Sequence, residues 1–543
     1  VKYNSDGTAQ WARNIGGTSH DYVSNMELDA SANVYLIGFH RSPTITIYNA
    51  DGTPFSILTN VGDTTQSGTS MDTYIVKYDS DGTPLWARKI GGNGNDTPTQ
   101  IKLDSSANLY ISGSYSSNPV TIYNADETAF TTLTNSGSND IFIVKYNSEG
   151  IPQWARRAGG GNTESSNGII LDNSNNIYMY GYYDSGYYGS NPFKVYNSDG
   201  SSFAELTTTG FSDSDSDVFI LKYNSDGIPQ WLRRIGGARV DRPLHMIFDS
   251  SYNMYMFGTT TSSSLDIFNS DGSSFAQITN PGSGSFQYTF IVKYNSSGTP
   301  QWITKIGIIS NNTPINIVSD SSGNIYVSGN YSSNPLTICN IDGTTFTTLT
   351  NSGASDIFIV KYNSDGIPQW ARSIGGSAGD FSTNAVVDAS ENIYISGTYS
   401  SNPLIIYNAD GTSFTTLTNS GSSDIFIVKY NSDGTPQWAR NCKNGRIMKM
   451  ILDASANIIT YGYYLTTPLI IYNADGSSFT TLTNSGNNDI FIIKYDSSGT
   501  PESARKISGN LNDYPSDILV DSSSNMYISG TYTSNPLTII NSS

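Results

Sequence analysis

Eight times along the 543 residues an Asp is followed four residues later by an Asn and nine residues later by a Gly: Asp29/Asn33/Gly38, Asp104/Asn108/Gly113, Asp172/Asn176/Gly181, Asp249/Asn253/Gly258, Asp320/Asn324/Gly329, Asp388/Asn392/Gly397, Asp453/Asn457/Gly462 and Asp521/Asn525/Gly530. Successive copies lie 65 to 77 residues apart. A tandem period of that length, built of short apolar alternations between turn residues, gives one small sheet per repeat and forces neighbouring sheets to bury each other's faces.

A second marker confirms the period. Trp11, Trp86, Trp154, Trp231, Trp302, Trp370 and Trp438 recur in contexts such as KYNSDGTPQWAR, and Ser503 stands at this position in the eighth copy. All seven tryptophans of the chain therefore serve one structural position, beside a Gly-containing turn, where a large ring packs between neighbouring sheets.

Each repeat reads as four strands, A to D. Strand A ends at the marker Asp (PTQIKLD, PSDILVD) and a short loop leads to B (NLYISGSY, NIYVSGNY), which makes a hairpin. Strand C (DIFIVKY and variants) is apolar on both faces and suits a strand covered on both sides. Strand D (PQWAR, an apolar residue, then Gly-Gly) follows a Gly-bearing turn. Between B and C lies an additional hairpin, as in LIIYNADGTSFTTL, whose Asn-x-Asp-Gly core supplies the positive-φ turn residue; Glu127 replaces that Gly in one copy.

The chain begins in the second half of C and finishes after A, B and the start of an insert, so residues 1–17 and about 513–543 together make one blade. The expectation is an all-β chain: a single domain over 1–543, an eight-bladed β-propeller of four-stranded antiparallel blades, each carrying the extra B–C hairpin, with the ring closed by strands from both termini. The alternative is a window cut from a longer, open repeat array. The chain also opens at Val1, partway through a repeat, which leaves room for a leader or further domains outside it.

Residues 356 to 401, DIFIVKYNSDGIPQWARSIGGSAGDFSTNAVVDASENIYISGTYSS, resemble the SBBP-type bacterial β-propeller repeat in the order of Lys-aromatic, Gly turn, Trp, Gly-Gly and Asp-x-x-x-Asn-hydrophobic-Tyr. The resemblance recurs in all eight repeats, with local departures at Ser503, at Ile459 and at 441–445, and with the B–C hairpin as an elaboration. It implies a propeller in a secreted, cell-surface or virion-surface protein. It implies no chemistry, because no catalytic residues are shared across the family.

Composition narrows the partners. The formal charge of −18 argues against nucleic acid, whose binding relies on Lys and Arg neutralising phosphates, and against an anionic membrane surface. No apolar run is long enough to insert into a bilayer and no signal peptide is visible. Cys339 and Cys442 fall at different repeat positions, so no disulfide framework or metal knuckle is indicated.

Eight residues before each marker Asp stand Asp21, Asp96, Glu164, Asp241, Asn312, Asp380, Gly445 and Asp513. The six acids would surround one mouth of a central channel if A is the innermost strand. There they either cap the D–A turns or hold Ca²⁺, a hard cation that takes oxygen ligands. Asp213, Asp215 and Asp217 have the spacing of a calcium loop but lack its Gly and downstream Glu, and Asp217 aligns with the ordinary Asp before strand C. The recurrent Lys of strand C and Arg of strand D are spread evenly over the repeats, as architectural cations are; they pair with blade carboxylates or cover apolar surface with their stems.

His20, His40 and His245 are scattered, and no nucleophile elbow or phosphate loop stands out. The repeat is irregular at 164–167, 183–193 and 441–447, none of which joins an acid, a base and a nucleophile. The reading is a non-enzymatic surface or structural module that binds protein or glycan, or that assembles into a surface layer or fibre. Its Tyr, Asn and Ser suit such contacts. The alternative is a glycan-active lyase or hydrolase at the channel mouth, which should show blade-specific polar residues clustered at one mouth.

Overall fold

The computed structural model describes all residues except 63–69, 185–190, 209–214, 280–286, 308–311, 420, 466 and 541–543. Among the described residues every regular element is a β-strand, and no helix long and apolar enough to cross a membrane occurs.

A sheet in the middle of the chain shows the local logic. Its order is Asp96–Leu103 (A), Leu109–Tyr115 (B), Asp140–Tyr146 (C), Pro152–Gly159 (D), Phe193–Tyr196 and Ser202–Leu206, with antiparallel pairing at each step. Strand C is buried at six of its seven positions, as its two-sided apolar pattern requires. Strand A alternates less regularly because a bulge between Pro98 and Gln100 shifts its register against B.

The last two strands of that sheet correct the expected blade. They are the hairpin that interrupts B and C of the following repeat, and Val195 pairs with Ala158 at the end of strand D. The hairpin at 120–133 behaves likewise, pairing Ile122 with Ile90 of the preceding repeat. Each such hairpin therefore extends its neighbour's sheet. The physical reason is the free outer edge of D, which the apolar first strand of the hairpin (Val120 and Ile122, both buried) covers. Instead of eight four-stranded blades there are nine sheets, six of them six-stranded and the others of five, four and three strands. The three-stranded sheet arises at Ile15–Gly16, which residues 12–14 separate from Ala9–Trp11.

The chain divides into two compact units. The first comprises Val1–Lys2, Gln10–Pro243 and Ser264–Gln277. It holds three six-stranded sheets and the three-stranded one. A core of Tyr35, Ile37, Trp86, Ile111, Phe142 and Val144 fills the space between two successive sheets. The second unit comprises Tyr3–Ala9, Leu244–Ser263 and Ile278–Ser543. Its corresponding core joins Tyr326, Ile359, Trp370, Ile395, Phe426 and Val428. Full burial of each such side chain contributes about 1.5–3 kcal/mol. In this unit Tyr3 and Ala9 lie in one sheet with the last hairpin, Met526–Tyr532 and Asp513–Val520. Arg505 fastens them by donating to the carbonyls of Gly7 (2.7 Å) and Asp6 (3.0 Å).

Candidate functional site

The marker residues close the turn between A and B. Asp320 Oδ1 accepts the amides of Ser322 (3.1 Å) and Asn324 (2.8 Å), and Oδ2 accepts Asn324 Nδ2 (2.8 Å) and the Tyr326 hydroxyl (3.1 Å). The strand C cation completes the network: Lys361 Nζ lies 3.6 Å from Asp320 and 4.9 Å over the Tyr326 ring, and it donates to the carbonyl of Ser432 at 3.2 Å. Trp370 Nε1 meets that same carbonyl at 3.0 Å, and Arg372 Nε donates to the carbonyl of Gly434 at 2.8 Å. Lys, Trp and Arg of one sheet thus grip the C–D turn of the next. Gly434, at φ +74°, must be Gly, because a Cβ there would stand 2.6 Å from the Trp370 ring. These repeated groups are consumed by architecture.

The six acids at the start of strand A are tied to their own turns. Asp96 accepts the Ser117 hydroxyl at 2.6 Å and its amide at 3.3 Å, and Asp380 and Asp513 accept Ser401 and Ser534 in the same way. Asp21 accepts Gly17 N (2.8 Å) and the Ser42 hydroxyl (2.8 Å), Glu164 accepts Gly160 N (3.0 Å), and Asp241 accepts Gly237 N (2.7 Å). All but Asp21 are fully buried. Burial raises the Asp96 carboxyl to about 6 and the Glu164 carboxyl to about 9, against the pull of those donors.

Beside five of them stands a second buried acid, at the start of strand C. The amides of Asp96, Glu164, Asp241, Asp380 and Asp513 donate to the carbonyls of Met71, Asn139, Ser216, Ser355 and Asn488, the residues just before Asp72, Asp140, Asp217, Asp356 and Asp489. Desolvation raises Asp72 and Asp217 to about 7 and Asp140 and Asp356 to about 6. Of the three acids at 213–217, Asp213 lies outside the described residues, Asp215 is half-buried, and Asp217 is this strand C acid, bonded to Arg234 Nε at 2.6 Å. Ca²⁺ takes about six to eight oxygens, and among the described residues no three His, Cys, Asp or Glu side chains gather into a metal-ligand set. The arrangement is that of turn caps.

Among the histidines, His40 stands opposite Asp21 on one neighbouring strand and Asp72 on the other. His40 is buried with Nδ1 2.9 Å from the Ser42 carbonyl, His245 stacks on Phe257, and Cys442 Sγ lies 3.0 Å from the Tyr495 hydroxyl. Of the irregular segments, 441–447 is the most informative. Where Gly445 replaces the strand A acid, the Asn444 amide donates to Asp424 Oδ1 (2.9 Å) and its side chain to the Pro468 carbonyl (3.1 Å).

One position does vary from repeat to repeat. The residue after the strand A acid is Tyr22, Thr97, Ser165, Arg242, Thr313, Phe381, Arg446 or Tyr514. In the first unit Tyr22 stacks on Phe39 (centroids 5.1 Å apart), and the Arg242 guanidinium lies 3.4 Å over the Tyr182 ring. In the second unit Phe381 is 48% exposed and Tyr514 40% exposed, and Tyr514 meets Tyr463 edge-on at 5.3 Å. Asn488 Nδ2 donates to the Tyr514 hydroxyl at 2.5 Å and fixes that ring. Sequence reading looked for deviation in whole segments and missed this column, which holds five residue types over its eight positions. At the other end of the innermost strands of this unit lies an open apolar recess of about 530 Å³ between Phe248, Val318, Val387 and Leu452, with no convergent polar groups.

Comparison with known proteins agrees with the repeat. Residues 301–336 match the family described as SBBP, beta-propeller repeat. That stretch is a propeller repeat of the SBBP type. The chain is also 26% identical over 544 residues to the uncharacterized WD repeat-containing protein L264 of Acanthamoeba polyphaga mimivirus; the match covers 90% of this chain and spans 38% of that relative's length. Among solved structures the Dos1 propeller is similar, with 9% identity and a TM-score of 0.34 over 90% of this chain and 95% of that one. The repeats here are all-β, with the hairpin exchange described above added to them.

Proposed function

We propose that this chain is a non-enzymatic binding module, displayed at a cell or virion surface or secreted, whose SBBP repeats form a rigid frame for a variable rim that contacts a protein or glycan partner. One observation carries this reading: in the second unit the position after the strand A cap is Phe381, Arg446 and Tyr514 on three successive strands, all three exposed. Exposed rings on strand ends supply contact area at low entropy cost, and strands position them better than loops do. The titratable groups support binding over catalysis, since the acids are spent on backbone amides and the cations on carbonyls of the next turn.

A second reading, self-assembly, is favoured by the outermost strands. Each complete hairpin exposes one Phe on its free edge (Phe55, Phe130, Phe203, Phe275, Phe346, Phe414 and Phe479), and such edges accept further strands. The test is to probe glycan and protein arrays with the full chain, then recover each bound ligand and weigh it by mass spectrometry. The binding reading expects captured ligand of unchanged mass and monomeric protein at micromolar concentration. Ligand cleavage would replace it with the enzyme reading, and concentration-dependent polymers without capture would replace it with assembly.

A further inference from the structure

The second unit places three variable rim residues at one register on successive innermost strands. Phe381 pairs with Thr398, Arg446 with Tyr463, and Tyr514 with Thr531, each one residue past the strand A cap position. Strand Arg446–Leu452 packs against Asp380–Val387 on one side and Asp513–Val520 on the other, so Arg446 lies on the strand between those that carry the two aromatic residues. Met448, 46% exposed, stands two residues along the same strand. Lys449 is the next cation, and Asp517 takes its charge at 2.6 Å.

Arg446 differs from the other arginines of the repeat pattern. Those on strand D donate to carbonyls of the following turn, as Arg372 and Arg440 do. Arg446 is exposed and stands where the repeat ordinarily has a neutral or aromatic residue, directly after the Gly445 that removed the local carboxylate. An exposed guanidinium beside a position that lacks the repeat's usual carboxylate is locally complementary to an anion, although the chain as a whole is negative. The planar fork matches a carboxylate with two parallel donors. The rings beside it match the C–H faces of a pyranose, whose partial positive hydrogens meet the negative face of the π system.

We infer that Phe381, Arg446, Tyr463 and Tyr514 form a binding site for a carboxylate-bearing glycan, with uronate rings on the aromatic faces and one carboxylate on the guanidinium. This rests on the reading of the chain as a binding module and names its ligand class. An acidic peptide would share the charge but not the stacking, since its carboxylates ride on flexible side chains.

The experiment titrates the full chain by calorimetry with oligogalacturonate, with the same oligomer methyl-esterified, and with poly-glutamate. The expected result is saturable binding of the free-acid oligomer, weakened at least tenfold by esterification and by Arg446→Gln, and at least fivefold by Phe381→Ala or Tyr514→Ala. Esterification alters the ligand alone, so that arm holds even if a variant folds poorly. Equal affinity for the ester, equal or tighter binding of poly-glutamate, or no heat with the acid oligomer at millimolar concentration would overturn the assignment. If the uronate fails while another array ligand still needs the rim residues, the ligand class is wrong and the binding module stands; if no captured partner responds to rim substitution, the module reading itself fails.

Discussion

Trp370 donates its indole N–H to the carbonyl of Ser432 in the next repeat, 3.0 Å away, while its ring covers Gly434 of the same turn. Trp86 does the same to Ser148 and Gly150, at 3.1 Å. Nearest-neighbour stability in this repeat array is concentrated in that contact.

Trp370→Ala should therefore destabilise the protein by about 3–5 kcal/mol, the usual cost of emptying a buried aromatic site. Trp370→Phe keeps most of the packing and loses the hydrogen bond, and should cost about 1–2 kcal/mol. Chemical denaturation of both variants checks the order; a Trp370→Phe variant as stable as the original would mean that the indole N–H carries nothing, and equal costs that ring packing carries nothing.

The paired acids predict a pH profile. Asp356 lies at about 6 in the folded chain because burial raises it, with Asp380 adding repulsion and the Ser352 and Gly376 amides opposing. A folded pKa above the unfolded value means that the folded state binds the proton more tightly. That contribution is full below the unfolded pKa of about 3.8–3.9 and is lost as pH rises through the folded value. Asp72, Asp140 and Asp217 act in the same direction, each beside a cation, Lys89, Arg157 or Arg234. The turn acids Asp388, Asp453 and Asp521 are lowered and act oppositely, contributing above the unfolded pKa and losing it as pH falls.

Asp356→Asn isolates one site. Its Oδ2 accepts Ser352 N at 2.8 Å, so Asn keeps that bond and removes the charge. Melting temperature should rise at pH 8 and change little at pH 4.5. A variant that melts lower at pH 8 would show that the ionised carboxylate is the stabilising form.

Backbone strain gives a third prediction. Ala107 closes the A–B turn at φ +57°, in the left-handed region that costs an L residue about 1–2 kcal/mol. Gly323 holds the corresponding place in another repeat at φ +78°. Ala107→Gly should stabilise the chain by up to about 1 kcal/mol after the entropy cost of Gly is subtracted. Thermal melting checks the sign.

The capped acids also predict the response to calcium. Their oxygens already accept backbone amides and serine hydroxyls, so calorimetry on metal-stripped protein should show no stoichiometric heat and the melt should not move when Ca²⁺ is added. A stoichiometric heat with a raised melting temperature would return these carboxylates to the role of ion ligands.

Periodicity made the all-β repeat legible before any coordinates, because Asp320, Asn324, Trp370 and Gly434 each answer a local requirement that recurs at fixed spacing. The exchange of hairpins between sheets was not legible. The hairpin at 120–133 has the same apolar alternation whether it covers its own sheet or its neighbour's, and only the free edge of the preceding D strand decides. The acids had two readings from sequence, turn cap or ion ligand, and neither showed the second buried acid at the start of strand C, which lies 24 residues earlier in sequence for Asp72 and Asp96. The rim escaped notice for the opposite reason: variability in one column carries no periodic signal.

The most direct test of the functional account replaces the three rim residues of the second unit with the residue that two other repeats carry there. The triple variant Phe381→Thr, Arg446→Thr, Tyr514→Thr takes its Thr from positions 97 and 313. Melting temperature and partner binding are then measured on the same sample. The account predicts only a modest fall in the melt, from the Asn488 bond and the Tyr463 contact that Tyr514 gives up, together with loss of binding. A strongly lowered melt with binding retained would show that the rim belongs to the frame and that recognition lies elsewhere.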